Sequence, residues 1–141
     1  MSSLTTFRIG GVHPEENKFS KDKAIEVLPV PKTVCIPVSQ ALGAPSVPVV
    51  EKGAKVKAGQ LIAKGEAFIS ANVHSSVSGT VSKIDDVVDT SGYRRKSIII
   101  EVDGDECIET IDRSAELKKE CNLTSEEIIA NVNEMGIVGM G

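Results

Sequence analysis

The sequence lacks the features that mark most nucleic-acid-binding and membrane-spanning proteins. It contains no tryptophan, aromatic residues make up only 3%, and the formal net charge is −4. Without a basic stripe or aromatic stacking positions, the composition excludes an ordinary nucleic-acid-binding surface. No run approaches the ~20 apolar residues of a membrane span, and residues 1–11 lack the apolar core of a signal peptide. We therefore expect a soluble cytoplasmic chain, without direct membrane insertion, whose core consists of valine, isoleucine and alanine.

The three cysteines are too scattered to indicate a metal site or a disulfide framework. Cys35, Cys107 and Cys121 are isolated in the sequence, and no Cys-x-x-Cys pair occurs. Structural zinc and iron–sulfur sites use closely spaced ligands, and an odd number of cysteines does not form a closed disulfide set. We predict that these thiols are small buried hydrophobic groups and that the chain holds no metal.

Other residues with chemical potential are also poorly spaced for catalysis. His13 and His74 are the two histidines, and neither has a partner at a metal-site spacing. The serines near His74 lack the strand–turn–helix setting of a nucleophile, and the aspartates at 85, 86 and 89 lack the pattern of a calcium loop. Turn or surface positions are the preferred interpretation, as they are for the basic residues 94–96. A site that uses both histidines is the weaker alternative, and no catalytic residue is predicted.

Short β-branched runs separated by glycine turns dominate the middle of the chain. Runs of this length that are bounded by turn residues predict strands rather than helices. Their even spacing predicts a small barrel or sandwich. The predicted strands cover residues 24–28, 33–38, 47–50, 61–63, 73–77, 80–84 (continuing to 88) and 96–102, with turns at 89–92 and 103–105.

The last third of the chain changes to helical patterning. Residues 124–135 predict a helix, because Thr124 and Glu127 have the spacing of a capping box and Gly136 is placed to end it. Residues 114–121 have a weaker helical composition. The predicted organisation is an extended arm at 1–23, a barrel domain at 24–110 and a helical segment at 111–141.

The central stretch resembles domains of the biotinyl/lipoyl type, which are barrel-sandwich hybrids. Their glycine turn corresponds to Gly53, Val56 and Gly59-Gln60, and their closing Ser-Gly-x-Val corresponds to residues 78–81. In such carriers, a lysine at the hairpin apex receives the cofactor through its amine. The apex here falls at residues 67–71, which contain no lysine, and Lys64 lies too early. The resemblance implies a mainly β barrel-sandwich hybrid without a cofactor arm.

A more specific resemblance covers nearly the whole chain in sequence order. The segments on which this resemblance rests are FRIGGVHPEENK at 7–18, VLPVP at 27–31, GAP at 43–45, GQ at 59–60, VHSSVSGTV at 73–81 and GIVGMG at 136–141. Together they resemble the N-terminal part of the C subunit of the Rnf electron-transport complex. The last segment is similar to the start of that family's glycine-rich nucleotide loop, to which Gly139, Met140 and Gly141 would belong.

The resemblance implies a peripheral subunit on the cytoplasmic face of the cell membrane. The parent complex couples electron transfer between ferredoxin and NAD to ion movement. FMN, NADH and two 4Fe-4S clusters are expected in parts of the subunit beyond residue 141. We therefore expect this chain to be a truncated, non-catalytic domain without a cofactor of its own. Its expected partners are the other Rnf subunits and the downstream nucleotide-binding domain.

Two alternatives share the barrel. One is the N-terminal domain of the A subunit of the sodium-translocating NADH:quinone reductase, and the other is a carrier domain that lacks its lysine. The Gly-Gly-Val-His-Pro run at residues 10–14 favours Rnf over the first. The absence of an apical amine argues against the second.

Overall fold

The computed structural model describes residues 15–116 and 119–139. This part of the chain is mainly β, with seven strands and one helix. In chain order they are β1 Thr33–Pro37, β2 Val47–Pro48, β3 Lys55–Val56, β4 Leu61–Lys64, β5 Val73–His74, β6 Ser78–Val88, β7 Arg94–Gly104 and α1 Ser125–Glu134. The predicted mainly β architecture is confirmed.

Two antiparallel sheets enclose one core. The larger sheet has the order β1-β7-β6-β3 and the smaller has the order β2-β4-β5. Their inner faces contribute Val81, Ile98 and Ile100 from the larger sheet and Ile62 and Val73 from the smaller one to a single buried cluster. Alternation along the strands places these β-branched side chains on the inner faces. The barrel-sandwich hybrid predicted from the glycine spacing is therefore confirmed.

Most predicted strands are present, with different lengths. β6 and β7 extend beyond the predicted runs and form a long hairpin, closed by the predicted turn after Val88, where the Gly92 N–H donates to the Asp89 carbonyl. The run at 47–50 forms only the two residues of β2. The run at 73–77 ends as a strand at His74, because the Ser75 hydroxyl donates to the Val77 carbonyl and turns the chain.

Two strand-level predictions are wrong. Residues 24–28 form no strand, and their side chains are exposed; the prolines at 29 and 31 lack the N–H that a strand ladder needs. The predicted turn at 103–105 is replaced by the end of β7, which reaches Gly104. Ser78 holds this end in the sheet by donating its hydroxyl to Asp103.

The predicted C-terminal helix is confirmed with both of its end signals. The Thr124 side chain accepts from the Glu127 N–H, and the Glu127 carboxylate accepts from the Thr124 N–H. At the other end, the Gly136 N–H donates to Asn133 and the Ile137 N–H donates to Val132, which is the Schellman pattern. The weaker helix at 114–121 does not form in its described residues, 114–116 and 119–121.

The cysteines are more accessible than predicted. Cys35 and Cys121 are exposed and Cys107 is half-buried. Cys35 alternates along β1 with the buried Ile36, so it lies on the outer face of the sheet. The prediction of buried thiols is therefore wrong for Cys35 and Cys121.

Candidate functional site

The loop between β4 and β5, residues 65–72, occupies the place of the predicted hairpin apex. Its most prominent side chain is Phe68, which is fully exposed. Lys64 is the last residue of β4 and lies at the base of the loop rather than at its apex. The site at which a carrier domain would present an amine therefore presents an aromatic ring.

Hydrogen bonds fix the backbone of this loop. The Gly65 N–H donates to Asn72 Oδ1 at 3.0 Å, and the Ser70 hydroxyl donates to the Ala67 carbonyl at 2.6 Å. The Ile69 carbonyl accepts from the Ala44 N–H at 2.9 Å. These bonds hold both ends and the apex of the loop, so the exposed position of Phe68 is set by the local structure.

A neighbouring glycine allows this close approach. Gly43 has a φ of 119°, and a side chain at this position would collide with the Ile69 carbonyl. Only glycine adopts such a conformation without strain. The GAP segment at 43–45 therefore has a structural role beneath the loop.

The end of α1 is attached to the same loop. Asn72 Nδ2 donates to the Glu134 carbonyl at 3.0 Å, one of the carbonyls that a helix end leaves without a partner. Gly136 follows with a φ of 67°, and a side chain there would collide with the Asn72 carbonyl. Residues 137–139 consequently leave the helix beside the loop.

These elements build an exposed apolar area, here called the tip surface, from Leu42, Phe68, Ile69 and Val138. Their exposed fractions are 94%, 104%, 63% and 44%. They line an open cavity of about 400 Å³ together with Gln40, Ala41, Ser70 and Gly139. None of the lining residues carries a charge. The tip surface is suited to apolar contact with a protein and has no group that would neutralise a phosphate.

One of the three predicted nucleotide-loop residues falls at the edge of this area. Gly139 lines the cavity beside Val138, whereas Met140 and Gly141 lie outside the described residues. The role of these three residues in nucleotide binding stays a prediction. No motif in the sequence singles out the tip surface, although a phenylalanine at a glycine-flanked hairpin apex, in a chain with three phenylalanines, could have done so.

The charged cluster of the β6–β7 hairpin is internally paired. Arg95 Nε lies 3.0 Å from Asp89 Oδ2, and Lys83 Nζ lies 2.9 Å from Asp85 Oδ2. A hydrogen bond from the Ser91 side chain lowers the pKa of Asp89, and one from Lys83 lowers the pKa of Asp85. Both carboxylates therefore stay ionised at neutral pH. The solvated strand end predicted for this region is confirmed.

Among the described residues, the other candidate side chains form no cluster that could hold a metal. His74 lies half-buried on β5, and His13 lies outside the described residues. Within residues 15–116 and 119–139, no group of three or more histidine, cysteine or acidic side chains could hold a metal ion. No helix formed by these residues has the length and apolarity needed to cross a membrane.

The fold and its loops define the class of the protein. Two small antiparallel sheets close over one β-branched core, and a fixed hairpin loop projects beyond the smaller sheet. This is the arrangement of a barrel-sandwich hybrid domain, the class that includes carrier domains with an apical lysine.

Comparison with known proteins identifies the family within this class. The family model described as the RnfC barrel sandwich hybrid domain matches residues 5–105, and the chain belongs to this family. It is 47% identical over 140 residues to the C subunit of the proton-translocating ferredoxin:NAD(+) oxidoreductase complex of Clostridium ljungdahlii. It is 38% identical over 142 residues to the C subunit of the ion-translocating oxidoreductase complex of Rhodobacter capsulatus.

A third relative is also a C subunit, from a complex that translocates a different ion. The C subunit of the Na(+)-translocating ferredoxin:NAD(+) oxidoreductase complex of Acetobacterium woodii is 37% identical over 142 residues. The three alignments cover 98%, 98% and 96% of this chain and 30%, 27% and 30% of the relatives. The chain thus spans less than a third of the length of the curated relatives it matches.

Proposed function

We propose that this chain is the N-terminal domain of the C subunit of an ion-translocating ferredoxin:NAD+ oxidoreductase complex. The observation that carries the proposal is the match to such C subunits over nearly the whole chain, which includes 47% identity over 140 residues to one of them. The family match at residues 5–105 supports the same assignment. The complex would lie at the cell membrane, with this domain on its cytoplasmic face.

Within that subunit, we propose a docking role without chemistry. The inner faces of both sheets are filled by a buried core, and four charged side chains of the β6–β7 hairpin form two ion pairs. The cavity at the tip is lined by uncharged groups. FMN, NADH and the two 4Fe-4S clusters would be bound by parts of the subunit beyond residue 141.

The carrier alternative predicts a covalent change that this chain is not built to receive. Biotin and lipoate are attached through a lysine amine at the hairpin apex, where residues 65–72 contain none. The intact mass of the protein from cells that make both cofactors should therefore equal the unmodified mass. A mass increased by either cofactor would support the carrier alternative.

Affinity purification tests the assignment to the complex. The full-length protein that contains this chain, tagged and expressed from its own gene, should be recovered from solubilised membranes together with ferredoxin-dependent NAD+ reduction. An unrelated tagged protein with the same expression level is the control. Recovery of the tagged protein alone, without membrane subunits and without this activity, would contradict the proposal. Recovery with an NADH:quinone reductase activity would instead support assignment of the chain to the A subunit of the sodium-translocating NADH:quinone reductase.

A further inference from the structure

We propose that the tip surface is a docking site for the polypeptide that follows residue 141 in the full-length subunit. The inference rests on the proposed function, under which this chain is the first part of a longer subunit. The occupant is the downstream domain of the same molecule, rather than a second copy or another subunit.

The first argument is the combination of exposure with a fixed backbone. Phe68 and Leu42 are almost wholly exposed, yet the adjacent Ile69 carbonyl is bonded to Ala44 and Gly65 is bonded to Asn72. An apolar side chain on a backbone that is already fixed costs less conformational freedom on binding, which favours its use as an anchor. Large aromatic side chains are also common among the residues that dominate protein interfaces.

The second argument is the direction in which the chain leaves the domain. Asn72 attaches the end of α1 to the loop, and Gly136 packs directly on the Asn72 backbone. Val138 and Gly139 then line the same cavity as Phe68 and Ile69. The polypeptide beyond these residues begins at the edge of the tip surface.

The third argument selects the occupant. The related C subunits align to this chain over 27% to 30% of their length, so under the proposed function most of the polypeptide is joined to this domain through Gly139. A domain joined by a short connection has a high effective concentration at the surface beside that connection. A second copy or another subunit would have to compete with it.

The chemistry of the surface fits a protein face rather than a cofactor. Five apolar side chains line the cavity, and its polar members are Gln40 and Ser70. No cationic side chain lines this cavity, and Lys64 lines the neighbouring cavity together with Glu134. The expected occupant surface is therefore apolar at its centre, with polar groups at its rim.

Photo-crosslinking in the intact complex tests this assignment. Phe68→p-benzoylphenylalanine keeps an aromatic group at the apex and, after irradiation, bonds covalently to whatever lies against it. We expect a crosslink within the same polypeptide, to a peptide beyond residue 141. Val49→p-benzoylphenylalanine is the matched control, because Val49 is half exposed and lies outside the tip surface. Its N–H donates to the Ile62 carbonyl in the middle of β4. This control should give no such crosslink.

The other outcomes overturn the inference in distinguishable ways. A crosslink to a second copy or to another subunit would identify a different occupant while leaving the proposed function intact. No crosslink in an assembled, active complex would mean that the tip surface is solvent-exposed. A gene that ends at codon 141 would overturn both the inference and the proposed function.

Hydrogen exchange provides an independent readout. In the full-length subunit, the backbone amides of residues 65–72 should exchange at least about tenfold more slowly than in the 141-residue chain, because docking excludes water from the loop. Phe68→Asp in the full-length subunit should restore fast exchange, whereas Val49→Ser should not. Equal exchange in the two unsubstituted proteins would overturn the inference.

Discussion

At the residue scale, β-branched side chains make up most of the buried core in the described part of the chain. Ile62, Ile98 and Ile100 are completely buried, and Val81 joins them from the neighbouring strand. With no tryptophan and few aromatic residues, the core depends on close packing of many medium-sized side chains. Such a core has no single dominant member, but each isoleucine that is removed leaves a cavity.

Truncating one of these side chains should have a large effect on stability. Ile98→Ala is expected to lower the free energy of unfolding by about 2–5 kcal/mol, through lost burial and a residual cavity. Ile25→Ala removes the same atoms from a residue that is 98% exposed. This control should change the free energy of unfolding by less than about 0.5 kcal/mol. Urea unfolding of both variants measures the difference. Equal effects would contradict the placement of Ile98 in the core.

At the element scale, the β6–β7 hairpin and the capped helix are the parts most fully specified by local sequence. The capping box and the Schellman ending follow from Thr124, Glu127 and Gly136. Runs of β-branched residues specify the central parts of β6 and β7, and residues 97–100 of β7 are all buried. Elements of two residues depend on partners distant in sequence: β2 is shorter than the run predicted at 47–50, and β3 is not among the predicted strands.

The capping box should be visible in the titration of Glu127. Hydrogen bonds from the Thr124 backbone and side chain lower the pKa of this carboxyl from its ordinary value of 4.5. Because the folded-state pKa is lowered, the stabilisation is present above pH 4.5 and is lost as the pH falls through the lowered pKa. Titration followed by NMR should give a pKa below 4.5, and Thr124→Ala should return it toward 4.5. A value at or above 4.5 in the unsubstituted chain would contradict the capping box.

Asn72 should determine how firmly α1 is held on the barrel. Asn72→Ala removes the hydrogen bonds to Gly65 and to the Glu134 carbonyl, at an expected cost of about 1 kcal/mol. The amides of α1 should exchange faster with solvent in this variant, as measured by mass spectrometry. Asn122→Ala is the control, because Asn122 lies before the helix cap. Unchanged exchange after Asn72→Ala would mean that other contacts hold the helix.

The difference between prediction and structure has a physical pattern. Glycine turns, short β-branched runs and capping residues act over a few positions, so the barrel, the long hairpin and α1 could be predicted. The tip surface combines residues near 42, 68 and 138, which only the tertiary structure brings together. The exposure of Cys35 also depends on which face of β1 meets the core. Its hydrophobicity alone predicted a buried thiol, which was wrong.

At the scale of the whole molecule, the described part of the chain is a barrel-sandwich hybrid of two sheets that carries the apolar tip surface. The structure contains the scaffold of a cofactor carrier, but a phenylalanine replaces the amine-bearing apex. Its family relationship connects it to the C subunit of an electron-transport complex. Its proposed contribution to that complex is mechanical attachment.

The isolated chain should not bind the cofactors of the parent subunit. A nucleotide site built on a glycine-rich loop needs the helix that follows it to orient N–H groups toward the phosphate, and under the proposed function that helix would lie beyond residue 141. Purified chain should therefore show no flavin absorbance, and titration with NADH should give no saturable signal at micromolar concentrations. The full-length subunit is the positive control. Tight NADH binding by the isolated chain would contradict the proposed division of roles.

Binding of the isolated chain to the remainder of the full-length subunit tests the docking role most directly. The polypeptide that follows residue 141, produced separately, should bind the purified chain saturably, because it is the proposed occupant of the tip surface. The Phe68→Asp variant should bind at least about tenfold more weakly, whereas the Val49→Ser control should bind like the unsubstituted chain. The account predicts saturable binding that depends on Phe68. No saturable binding, or equal binding by all three proteins, would contradict it.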